Sequence, residues 1–326
     1  MSALTASLVA NKPAIPVRQI ERCNSCGSTN IKTVSRSIDF EYKTCSNEFS
    51  FVTCTDCGLT WLHDMPEVSQ LGTIYPPTYI PYQFNEHLGG FIARLRDRVQ
   101  QAKVGPLSRY AKEGATIVDV GCGAGEFLRL MKKHGPQSWT LIGVDMAQEA
   151  ISHLSRYQIG GIVARFEELQ WDKQKPAPDV IVMNQVIEHV DDPSASTAKA
   201  FELLAPGGYF FIETPSTEGW DAKLFAGRYW GGWHTPRHWH LYDEKSLRAL
   251  LTRHGFEVVE TSYLLSPNFW LQSVHHYLDE RGWHKLADWF DVSHFIPLAF
   301  FSAVDVLQKM VRGKTSNFRM VARKPV

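Results

Sequence analysis

Three groups of side chains in this sequence have the types and spacing for chemistry. The segment WGGWHTPRHWH, residues 230–240, sets His234, His238, His240 and Arg237 among Trp230, Trp233 and Trp239. Imidazoles titrate near neutrality, so they can bind a metal or move a proton, and a guanidinium can hold a carboxylate or phosphate. The second group is two Cys-x-x-Cys pairs, Cys23/Cys26 and Cys54/Cys57, each followed by glycine. A two-residue gap lets both thiolates of a pair reach one ion, and the glycine permits the tight bend of a knuckle. The four cysteines therefore read as one tetrahedral structural zinc site. A redox pair would instead be a single Cys-x-x-Cys ahead of a helix. Cys45 falls outside the pattern and reads as a spare thiol. The third group is the turn Gly121-x-Gly123-x-Gly125, flanked by Asp119 and Glu126 and followed by Asp145.

The elements around that turn say what it can hold. Ile117 to Val120 is an apolar run suited to a buried parallel strand, and EFLRLMKKHG reads as a helix ending at Gly135. Strand, glycine-rich turn and helix form the cofactor-binding unit of a doubly wound sheet. Dinucleotide binders use G-x-G-x-x-G, but here Glu126 takes the place of the third glycine. Asp119 and Glu126 would repel a pyrophosphate. A cofactor with a positive centre and no phosphate fits better, and S-adenosylmethionine is such a molecule. The strand TLIGVD ends at Asp145, placed to hold both ribose hydroxyls. GIVARFEELQW supplies a third strand and a turn in which Phe166 and Glu167 flank an adenine. PDVIVMNQVIEHVDDP and FELLAPGGYFFIETPS add a fourth and a fifth strand. This alternation predicts an α/β fold with helices on both faces of a parallel sheet.

The remaining chain is read more coarsely. It has 326 residues and a formal net charge of zero, which argues against a dedicated nucleic-acid binder. Residues 1–19 read as a leader without secretory features, and no run of about 18 apolar residues predicts a membrane span. The metal pattern of the cysteines suits a reducing cytosol, so a cytoplasmic protein is expected. IKTVSRSIDFEYKT and EFSFVT alternate like short strands, which makes the two knuckles a zinc ribbon. DMPEVSQLGTIYPPTYIPYQF reads as an ordered linker, and GGFIARLRDRVQQAKVGPLSRY as a helix with a basic, solvated side. Three parts are expected: 1–80 leader, ribbon and linker; 81–262 cofactor-binding core with a lid at 216–245; and 263–326 a helical extension and final strand. Within the last part, FIPLAFFSAVDVLQKMV is partly apolar. Peripheral membrane contact, cover for an acceptor pocket, packing on the sheet and packing on a second subunit all suit it.

VDVGCGAGEF, GVDMA, VIEHVDDP and LLAPGGYFFIETPS, in that order, resemble the motifs of class I S-adenosylmethionine-dependent methyltransferases over about residues 110–262. The two knuckles and YPPTYIPY resemble the zinc-ribbon-bearing subgroup, whose members often occur with sugar, polysaccharide or secondary-metabolite biosynthesis. The resemblance implies a Rossmann-like sheet completed by GFEVVETSY and an antiparallel NFRMVARKP. It places Gly121, Cys122, Gly123 and Gly125 around the methionine part of the cofactor and Asp119 beneath them near the amino group. Asp145 and Met146 then lie at the ribose, and Asn184 and Gln185 face the methyl donor. Some relatives carry E-x-x-E-H after strand four and hold a divalent cation there. This chain has Gln185, Glu188 and His189, so the first acid is missing.

Methyl transfer to a weakly acidic hydroxyl needs a base, and His is the natural one. His238 is the first choice, His234 and His240 are second choices, and His189 of the E-H pair is a further candidate. Arg237 would orient an anionic group of the acceptor, and the three Trp would wall a sugar ring. The same residues could instead pack and hydrogen-bond a lid in place. A zinc site made by the lid histidines is disfavoured because Pro236 interrupts helical spacing. The acceptor expected is a saccharide or related small-molecule hydroxyl. Polyketides, quinones and amino sugars remain open, as does carbon methylation. An RNA base is less favoured, since no Asn/Asp-Pro-Pro-aromatic run follows strand four. A non-catalytic scaffold is less favoured too, since the glycine turn is intact.

Overall fold

The structure is a computed structural model that describes residues 12–76 and 104–326, together with Gln101. Most of the sequence read as a basic helix, and the YPPTYIPY stretch beyond Pro76, lie outside the described residues.

Seven strands form the central sheet. They are β6 (Thr116–Val120), β7 (Thr140–Asp145), β8 (Gly160–Val163), β9 (Val180–Asn184), β10 (Tyr209–Pro215), β12 (Glu257–Leu264) and β13 (Asn317–Arg323). The order is β12-β13-β10-β9-β6-β7-β8, with β13 antiparallel to both neighbours and β10 through β8 parallel. The α/β fold expected from the alternation, and the Rossmann-like sheet implied by the resemblance, are observed. All five residues of β6 are buried, as a strand covered on both faces requires. The chain runs outward from β6 in both directions, to β7 on one side and β9 on the other. This reversal opens a crevice at the carboxyl ends of the strands, where ligands of such sheets bind.

Local sequence explains the helices that frame the crevice. Helix α1 (Glu126–His134) starts directly after Gly125, with Glu126 in its first turn and Lys132, Lys133 and His134 in its last. These charges oppose the helix dipole at both ends. After α2 (Gln148–Leu154), helix α3 (Pro193–Leu203) has proline at its first position and Asp192 as cap, accepting from Ser194 N and Ala195 N. After α4 (Trp220–Leu224), helix α5 (Glu244–Arg253) opens with a capping box of Asp243 and Ser246.

The N-terminal strands are β1 (Val17–Gln19), β2 (Ile31–Ser37), β3 (Phe49–Cys54), β4 (Thr60–Leu62) and β5 (Asp64–Pro66). The end of the segment read as a leader is thus a strand, and β1 pairs with β5. The predicted β2 stops at Ser37; Ile38 to Glu48 form a loop that carries Asp39 and Glu41. The lid is not a free flap. Its β11 (His240–Leu241) pairs with β4 and completes a four-stranded sheet in the order β11-β4-β3-β2. Trp230, Trp233 and Trp239 pack in one buried cluster with Phe49, Phe51, Leu62 and Met65 of the ribbon. The indoles therefore hold lid and ribbon together. All three are buried, and of them only Trp239 is among the residues that line the cavity.

The last part contains α6 (Pro267–Asp279) and α7 (Phe295–Arg312). Helix α7 turns its polar residues inward: Asp305 accepts from Ser266 N (2.6 Å) and Trp270 Nε1 (3.0 Å), and Gln308 accepts from Trp220 N (3.0 Å). Phe295, Ile296, Phe300, Leu307, Met310 and Val311 face outward and are more than half exposed. Among the described residues, no helix is long and apolar enough to cross a membrane.

Candidate active site

One large open cavity of about 1150 Å³ occupies the crevice. Its floor is the glycine turn. Gly121, Gly123 and Gly125 have φ of 62°, 49° and 77°, a backbone region that favours glycine. A Cβ on Gly121 would meet Val186 Cγ2 at 2.7 Å, and one on Gly125 would meet Leu154 Cδ2 at 2.3 Å. Asp145 ends β7 and braces this turn: Oδ2 accepts from Gly123 N and Oδ1 from Ala147 N, both at 2.9 Å. Asp145, Met146, Phe166, Glu167, Asn184 and Gln185 all line the cavity. Asp119, Cys122 and Gly125 lie behind that lining. Asp119 is buried, and its burial, with the charge of Asp145, pushes its carboxyl up to about 8. A cleft with buried acids at its glycine turn suits a positively charged cofactor.

The other wall carries the lid histidines. His234, in a left-handed backbone conformation (φ 38°), hydrogen-bonds through Nδ1 to Glu41 Oε1 at 2.6 Å. A carboxylate oxygen only accepts, so the Nδ1 proton of His234 points at Glu41. Burial would raise the Glu41 carboxyl, but its pairing with His234 outweighs that and holds the carboxyl below its usual range. His238 donates from Nδ1 to Gly232 O (2.8 Å), and His189 from Nδ1 to Arg237 O (3.0 Å). The Tyr75 hydroxyl also lies 3.0 Å from His189 Nδ1. Burial lowers both imidazoles, His189 to about 3 and His238 well below the usual value. They are neutral at physiological pH and weak as bases. The ring centroids of His189 and His238 are 4.7 Å apart, and those of His234 and His238 4.8 Å. Residues 234–238 make a single turn in which His238 N donates to His234 O. Pro236 therefore does not separate the two rings, contrary to the expectation from helical spacing. His240 points away from the others, with Nε2 3.2 Å from Asn24 Nδ2.

Arg237 does not fit the acceptor-orienting role. Its side chain is fully buried and pairs with Asp39 through Nη1 (3.1 Å) and Nη2 (3.0 Å). Nη1 also donates to Thr235 O, and the guanidinium lies 4.3 Å from the Tyr42 ring centroid. Burial would raise the Asp39 carboxyl, but the Arg237 charge holds it below the usual range. Removing one partner of a buried pair strands the other charge, at a cost of about 3–5 kcal/mol. Arg237→Ala is expected to lower unfolding stability by that amount in urea titration. A change under 1 kcal/mol would mean that the pair is not desolvated as the structure has it.

The cysteine pairs close on one point away from the cavity. Cys23 and Cys57 sulfurs are 3.4 Å apart, Cys26 and Cys54 sulfurs 3.6 Å, and all four lie within 4.8 Å of one another. Four sulfurs about 2.3 Å from one zinc ion would stand about 3.8 Å apart. The donor set and spacing fit that ion. Glu41 and Asp39 escaped the sequence reading, because nothing local in a loop of the ribbon announces partners in the lid.

Comparison with known proteins agrees with this fold. Residues 84–261, more than half of the chain, match the family model described as a methyltransferase domain. Ubiquinone biosynthesis O-methyltransferases of Serratia proteamaculans and Idiomarina loihiensis are 30% and 31% identical over 121 and 128 residues, or 35% and 37% of this chain. The matches cover 49% and 51% of those proteins, so the chain spans about half the length of the curated relatives it matches. The solved structure of the [4+2]-cyclase SpnF has a TM-score of 0.50 at 17% identity, covering 80% of this chain and 97% of that one, a likeness of fold. With the glycine turn, the strand order and the family match together, the chain belongs to the methyltransferase-domain family.

Proposed function

We propose that the protein methylates a hydroxyl oxygen of a small molecule, with His234 and Glu41 as its acid–base pair. The supporting observation is a single cavity lined both by the glycine turn with Asp145 and by the His234–Glu41 pair. When bound, S-adenosylmethionine supplies an electrophilic methyl group on a sulfonium. Gly121, Cys122, Gly123 and Gly125 would hold its methionine part, with Asp119 beneath the amino group. Asp145 and Met146 would hold the ribose, Phe166 and Glu167 the adenine, and Asn184 and Gln185 the region of the methyl group. Glu41 orients the His234 ring and stabilises the imidazolium that forms when the ring takes the acceptor proton. His238, the base first favoured from sequence, and His189 instead give their Nδ1 protons to backbone carbonyls, and burial lowers both imidazoles. The four ribbon cysteines would hold one structural zinc ion.

The saccharide reading of the acceptor loses support from the three indoles, which are buried in the lid–ribbon core. A phenolic hydroxyl is the second reading, favoured by the ubiquinone-pathway O-methyltransferases among the relatives. Transfer of a labelled methyl group to dihydroxyphenols and to sugars tests both. Incorporation into amines or carbon alone, with none into any hydroxyl, contradicts O-methylation.

Asp119 gives a pH test of the cofactor site. A cation beside a carboxyl favours its ionised form, and Asp119 sits near pH 8 before binding. Binding of the donor below that pH therefore releases a proton. Affinity is expected to tighten by up to about tenfold per pH unit from pH 6 toward 8 and then level off. Calorimetry in buffers of different ionisation heat reads the proton directly. Asp119→Asn should flatten the profile, and a flat profile in the native protein would remove Asp119 from the site.

A further inference from the structure

We infer that Glu188, His189 and His238 form a second metal site, for a divalent transition cation with nitrogen and oxygen ligands. One donor atom from each residue lies within 4.8 Å of the other two. Both imidazoles are turned for the task. His189 and His238 each give the Nδ1 proton to a backbone carbonyl, Arg237 O and Gly232 O, which leaves the Nε2 lone pair of each ring for a ligand. Metal-binding histidines are usually fixed in this way by the other nitrogen.

Glu188 is the independent observation. Its side chain is fully buried, and Oε2 accepts from Thr214 Oγ1 at 2.9 Å. Oε1 is buried with no hydrogen-bond partner among the described residues. A buried carboxyl oxygen without a partner is costly, and a cation supplies one for Oε1. The backbone is also tied for this purpose. Trp239 N and His240 N both donate to Glu188 O, at 2.7 and 3.0 Å, which clamps the lid beside His238 onto the residue that carries the carboxylate.

Two imidazoles and one carboxylate suit zinc, cobalt, nickel, iron or manganese rather than magnesium. His189 and His238 line the cavity while Glu188 stands behind them, so further coordination positions would face the acceptor. Binding of the cation does not depend on the acceptor being a hydroxyl.

The test uses the full chain with zinc in the four-cysteine site, titrated with Co²⁺ alone. About one further cobalt per chain is expected, with weak visible bands and no added thiolate-to-cobalt charge-transfer absorption. Glu188→Gln and His238→Gln should each weaken that binding by about tenfold or more, with zinc content and thermal midpoint measured alongside. If either variant fails to fold, His189→Gln replaces it. No cobalt beyond the zinc equivalent overturns the inference. So does thiolate-type absorption from the added cobalt, or unchanged affinity in folded variants.

Discussion

Removal of the zinc proposed for the four ribbon cysteines is expected to abolish methyl transfer, although no cysteine lines the cavity among the described residues. The ribbon's three strands share a sheet with β11 of the lid, and its apolar side chains share a core with Trp230, Trp233 and Trp239. A structural zinc contributes about 10–16 kcal/mol of folding free energy in small domains, comparable with the whole stability of a typical protein. Without it the ribbon is expected to unfold and release the lid, carrying His234 away from Asp145. A misplacement of about 1 Å can cost about 100-fold in rate, so loss of the wall should cost more. Cys54→Ser, or treatment with a strong chelator, should release the ion and change the tryptophan signal. Activity should fall by more than about 100-fold. Cofactor binding should survive better than turnover, because the glycine turn and Asp145 sit on the central sheet. Full activity in zinc-free protein would show that the lid keeps its place by other contacts.

The second large effect is expected at the base. His234→Asn removes the imidazole with a residue that tolerates the left-handed backbone found there. General-base catalysis contributes about 10²–10⁴-fold, so kcat should fall within that range while cofactor affinity stays near native. Glu41→Gln should lower kcat in the same direction, because the ring loses the carboxylate that orients it. Paired loss of kcat with native cofactor binding separates this role from packing, which would lower stability instead. Unchanged kcat in His234→Asn would return the base to His238 or His189, or to a metal-held oxygen.

The glycine turn and the strands beside it were legible because they are local. Strand, glycine turn and helix lie within about 20 residues, and Asp145 follows at the end of the next strand. The cysteine pairs were legible for the same reason, since two short gaps state the ligand geometry. The lid was not. Arg237 reads as a ligand for an anion until Asp39 appears beside it, 198 residues away in the chain. His234 reads as one histidine among several until Glu41 meets it from 193 residues away. The tryptophans read equally well as a sugar platform or as packing, because an indole serves both. Only the ribbon's apolar face decides between them. Glu188 and His189 were read as an incomplete cation motif, since the third donor, His238, comes from the other side of the crevice.

The most direct test of the central claim is calorimetric binding of S-adenosylmethionine to the native protein and to Asp145→Ala. Asp145 would accept two ribose hydroxyls, and hydrogen bonds to a charged group are worth about 1.5–3 kcal/mol each. The native protein should bind about one equivalent, and the variant should bind at least about 100-fold more weakly with its fold intact. No binding by the native protein, or equal binding by a folded Asp145→Ala, would contradict a cofactor seated on this turn.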